Sequence, residues 1–149
     1  GHHVGGAPKM GYMSNEGQAD YYATLKCLRR VWGHKPDRES QAGLSVAKVL
    51  ALIRKDKTMP SLSKKDDGVV KDTINSHPEA QCRLDTYKNG AICAAPLKPD
   101  VSDSDPNIGT CPKDPGARPL CWYKPMIDFR EIFVFLKGPW ERMWSNPWK

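Results

Sequence analysis

Four of the five cysteines, Cys82, Cys93, Cys111 and Cys121, bracket a stretch that also carries Pro96, Pro99, Pro106, Pro112, Pro115 and Pro119. Proline removes a backbone donor and fixes φ, so residues 94–120 cannot build regular helix or sheet and need crosslinks to hold a shape. No Cys-x-x-Cys pair occurs, which argues against a zinc ribbon. The set reads instead as a disulfide framework, made in an oxidising compartment. If residues 77–93 form a helix, Cys82 and Cys93 lie about 16 Å apart along its axis. A disulfide tolerates Cα separations of up to about 7 Å. Those two should therefore not pair, and each should reach Cys111 or Cys121. The nested arrangement, Cys93–Cys111 inside Cys82–Cys121, is favoured.

The 149 residues suit one domain with a modest core. No apolar run reaches the 18 residues of a membrane span. Thirteen Pro and twelve Gly exclude a long helical bundle or coiled coil. The net charge of +6 is dispersed and gives little reason to expect nucleic acid as a partner.

Three helices are expected between the loops. Residues 14–33 form the first, with Ser14 as N-cap, Glu16 at the positive end of the dipole, and Gly33 and Pro36 as stops. Tyr21, Leu25, Leu28 and Trp32 make its core stripe. Residues 34–42 read as a polar connector. Residues 43–55 read as a second helix that turns positions 46, 49, 50 and 53 to the core. Residues 56–68 read as loop, and 69–75 are ambiguous. Ser76 and Glu79 have capping-box spacing, which starts the third helix near His77.

The chemistry is concentrated near the chain start. His2-His3 precedes a Gly-rich turn, and Ser14-Asn15-Glu16-Gly17-Gln18-Ala19-Asp20 opens the first helix. Glu16 and Asp20, four apart, share a helix face. A carboxylate can bind zinc, and a second one can orient a ligating imidazole. Asn-Glu-x-x-Ala-Asp resembles the third-ligand helix of gluzincin metallopeptidases, and Gly1-His2 is similar to the end of a His-Glu-x-Gly-His motif. The stretch through Arg30 resembles bacterial exported proteins of the His-Glu-x-Gly-His-His type. More loosely, so do the segments around Cys82–Cys93 and Cys121.

The resemblance implies a mainly α, zincin-like C-terminal helical portion carrying the disulfide-bonded, Pro-rich segment. It implies a zinc site with His2 and Glu16 as ligands and Asp20 supporting them from behind. The first His and the general-base Glu would precede Gly1. The parent protein would hydrolyse a peptide or protein substrate outside the cytoplasm, secreted or periplasmic, and this chain alone would be inactive. The rival expectation is a non-enzymatic, disulfide-stapled binding or structural module. His3, His34 and His77 read as solvated or structural. Cys27 has either a partner upstream of Gly1 or a free, buried thiol. Residues 1–125 read as the body and 126–149, which hold all three Phe and three of five Trp, as an aromatic extension with no role assigned.

Overall fold

A computed structural model describes residues 1–126. The expected aromatic extension therefore lies, from residue 127 on, outside the described residues. A two-residue-per-strand ribbon comes first, β1 (Lys9–Met10) antiparallel to β2 (Met13–Ser14). It leads into a continuous helical run: α1 (Glu16–Tyr22), a π-helical segment (Ala23–Leu28) and α2 (Arg29–Trp32). Then come α3 (Pro36–Arg54) and α4 (Ala80–Ile92). Among the described residues the regular structure is mainly helical with little strand, as expected.

Asn15, not Ser14, caps α1: its Oδ1 accepts from the Gln18 N–H at 2.9 Å. Ser14 is already committed, because its Oγ donates to the Gly6 carbonyl. The run ends at Gly33, whose φ of +70° suits a residue without Cβ. Pro36 does not lie in a connector. It opens α3, since proline at the first helical position loses only a donor that would be unpaired anyway. Asp37 and Glu39 follow in the first turn, where the helix dipole favours carboxylates.

The buried face of α3 corrects the expected one. Glu39, Gly43, Ala47 and Ala51 are buried, whereas Val46, Val49 and Ile53 are exposed. The reason is close approach. A Cβ on Gly43 would collide with the Tyr87 side chain on α4, so the crossing is built on the small-residue stripe. A similar contact joins α4 to the first helical run: a Cβ on Gly90 would strike the Thr24 hydroxyl and the Tyr21 carbonyl.

The third helix starts at Ala80, later than expected. Glu79 stands at its N-cap without a side-chain capping bond, and its carboxylate pairs with Arg54 at 2.9 Å. His77 thus sits in the approach loop. Residues 69–75 run beside the C-terminal part, with Val70 and Ile74 N–H groups donating to the Leu120 and Trp122 carbonyls.

Both disulfides form in the nested pattern, Cys82–Cys121 and Cys93–Cys111, and Cys27 is free. The Pro-rich loop is held further by cations on the first helical run. Lys26 Nζ donates to the Pro96 and Pro99 carbonyls, Arg29 to Cys93 and Ala95, and Arg30 pairs with Asp100. Arg118 reaches back to Gln18 Oε1 at 2.6 Å and the Pro106 carbonyl at 2.7 Å, and sits over the Tyr21 and Tyr123 rings. Tyr21 and Leu25 are core as expected, whereas Leu28 and Trp32 are only half-buried. Trp122, fully buried, packs with Cys82, Cys121 and Tyr123 and donates from Nε1 to Thr86. Among the described residues no helix is long and apolar enough to cross a membrane.

Candidate metal centre

The segment before the ribbon folds back over the start of α1. Gly1 and Val4 close a turn, the Gly1 carbonyl accepting from the Val4 N–H at 3.2 Å. Gly1 lies so near α1 that a Cβ there would stand 2.5 Å from the Ala19 carbonyl oxygen. The Asn15 N–H donates to the Pro8 carbonyl and Gln18 Nε2 donates to the Gly5 carbonyl. These contacts bring His2 to Glu16, although thirteen residues lie between them.

His2 is fixed twice by Ser14. The Ser14 N–H donates to the His2 carbonyl at 2.8 Å, and His2 Nδ1 lies 2.9 Å from the Ser14 carbonyl oxygen. A carbonyl only accepts, so Nδ1 carries the hydrogen. In the neutral ring the Nε2 lone pair is then the free one, and Nε2 stands 3.4 Å from Glu16 Oε1. Two such atoms at this separation can share a metal ion, or form an ion pair if the imidazole is charged. Two ligands about 2.0–2.1 Å from one tetrahedral zinc stand about 3.3–3.4 Å apart. The donor set and its spacing fit zinc, and a carbonyl behind a ligating imidazole is a usual support.

Glu16 has two further neighbours that the sequence did not single out for it. His77 Nε2 lies 3.3 Å from the same Oε1, on an exposed loop side chain. Arg83 Nη2 lies 3.6 Å from Oε2. The ligand atoms of His2, Glu16 and His77 do not all fall within 4.8 Å of one another. Among the described residues the cluster that does is Asp66 with Cys82 and Cys121, whose sulfurs are joined in a disulfide and offer no thiolate.

Asp20 lies one turn beyond Glu16, where a supporting carboxylate is expected. Among the described residues it orients no imidazole. Its carboxylate grips Arg83 at two points, Nε to Oδ2 at 2.6 Å and Nη2 to Oδ1 at 2.8 Å, and accepts the Tyr87 hydroxyl at 2.6 Å. All three side chains are buried. Burial pushes the Asp20 carboxyl above its ordinary range, against the pull of Arg83 and Tyr87. Burial, and then the neighbouring Asp20, likewise push the Tyr87 phenol up. The available signal was the spacing of Arg83 and Tyr87, four apart on one face of α4. His3, His34 and Tyr12 are exposed and touch none of this.

Comparison with protein-family models, curated proteins and solved structures finds no match to this chain.

Proposed function

We propose that the chain forms part of a zinc-dependent peptidase of gluzincin type, exported to an oxidising compartment, and supplies two zinc ligands, His2 and Glu16. The observation that carries this is the pair of facing acceptors, His2 Nε2 and Glu16 Oε1, at 3.4 Å. Zinc, when bound, polarises a scissile carbonyl and makes a bound water acidic enough to attack near neutral pH. The residues of this chain do the holding. Ser14 fixes the imidazole tautomer, α1 fixes the carboxylate, and the fold-back of residues 1–8 closes one side of the site. A gluzincin-type centre also needs a further His and a general-base Glu, which His2 and Glu16 do not supply. The two disulfides fit the exported compartment.

The exposed stripe Val46, Val49 and Ile53 on α3 favours the second reading, a disulfide-stapled binding module. One experiment separates the two. The natural full-length protein should cleave an unstructured protein substrate until a chelator is added. No cleavage, or cleavage indifferent to chelator, removes the peptidase reading.

A further inference from the structure

The buried trio behind Glu16 has a use that packing alone does not require. Asp20, Arg83 and Tyr87 could satisfy one another without touching the site. Yet the Nη2 of Arg83, which spends one hydrogen on Asp20 Oδ1, also faces Glu16 Oε2 at 3.6 Å. That is an ion pair beyond hydrogen-bond length. It leaves the carboxylate with two unlike oxygens, Oε2 toward a guanidinium and Oε1 toward the Nε2 atoms of His2 and His77.

We propose that Arg83 is the positioning residue of the metal centre: clamped by Asp20 and Tyr87, it holds Oε2 of Glu16 back so that Oε1 alone is offered beside His2. This rests on the zinc reading above. A free carboxylate can bind zinc through one oxygen or both. A guanidinium on one oxygen selects the one-oxygen mode and fixes the plane of the carboxylate. Arg83 would also repel a cation, but Asp20, bonded at two points, neutralises it, so orientation dominates over repulsion. The clamp also separates two carboxylates, Glu16 and Asp20, that share a helix face and would otherwise repel each other. Three elements contribute: α1 brings both carboxylates, α4 brings Arg83 and Tyr87, and the Cys82–Cys121 bridge anchors α4 at the residue before Arg83.

The test is zinc affinity of the full 149-residue chain, read by competition with a chromophoric indicator, together with the visible spectrum of the cobalt-substituted form. Arg83→Met should weaken zinc binding by about 10–100-fold, the usual effect of losing a group that orients a ligand. It should also weaken the cobalt absorption, as a carboxylate binding through both oxygens raises the coordination number. Arg83→Lys keeps the charge but not the fork, and should lose about 10-fold. It stands in if Arg83→Met does not fold by circular dichroism. Lys88→Met, elsewhere on α4, should bind as the parent chain does. Folded Arg83 variants that bind zinc equally or more tightly, with an unchanged cobalt spectrum, overturn the proposal while leaving the zinc reading intact. If Glu16→Gln binds zinc no more weakly than the parent chain, the zinc reading fails and this proposal fails with it.

Discussion

Gly17 joins the fold to the site, and replacing it with alanine pits two effects against each other. Alanine inside a helix is worth about 1 kcal/mol over glycine, so propensity alone predicts a more stable protein. The structure predicts the opposite, because a Cβ on Gly17 would penetrate the Trp122 indole. Trp122 has little room to yield. It is fully buried between the Cys82–Cys121 bridge and Tyr123, and its Nε1 is tied to Thr86 at 2.9 Å. Overpacking of this kind costs about 1–3 kcal/mol, and breaking the indole bond costs about 1 kcal/mol more. Net of the propensity gain, Gly17→Ala should lose about 2 kcal/mol. For a chain of this size that lowers Tm by roughly 4–8 °C. Because Gly17 follows Glu16, the same shift should loosen the approach of Glu16 to His2. Urea and thermal unfolding followed by far-ultraviolet circular dichroism give the number. A Gly17→Ala protein as stable as the parent, or more so, would refute the packing of Trp122 on α1.

The disulfides yield a second expectation. The separations of 39 and 18 residues imply that removing Cys82–Cys121 costs about 4 kcal/mol and removing Cys93–Cys111 about 3 kcal/mol on the loop-entropy estimate. Alkylation of the unreduced, unfolded chain should label Cys27 alone; a label elsewhere, or peptides joining Cys82 to Cys93, would contradict the nesting. A third concerns acid. Desolvation pushes Asp100 up, but the Val101 N–H and Arg30 outweigh it and hold the carboxyl below its ordinary range. Its folded pKa is thus below the unfolded one, so its contribution is present above about pH 4 and fades as pH falls through the folded value. Asp100→Asn should cost less than about 1 kcal/mol at pH 7, since the pair is partly exposed, and nothing near pH 2. A difference that persists unchanged at pH 2 would show that the loss is not electrostatic.

Much of this arrangement was legible, for identifiable reasons. Helical rise keeps Cys82 from Cys93 and leaves the crossed and nested pairings, of which the nested one, closing loops of increasing size, is the one formed. The shared face of Glu16 and Asp20 also follows from helical spacing. What those carboxylates meet does not, because Arg83 and His77 arrive from residues more than 60 positions away. Proline misled at Pro36, since the residue that ends one helix equally well begins the next. Valine misled on α3. Its apolar stripe has the right period, but the competing stripe of Gly43, Ala47 and Ala51 permits a closer crossing against Tyr87. Ser76 and Glu79 had capping spacing, yet Arg54 takes the Glu79 carboxylate and the helix starts beyond it.

That His2 and Glu16 are two ligands of one zinc ion is tested most directly by zinc content per chain in the natural full-length protein, beside its His2→Ala and Glu16→Gln variants. The account predicts one zinc per parent chain and loss of that zinc in both variants, with the folded state retained by circular dichroism. A parent chain without zinc, or variants that keep it, would contradict the account.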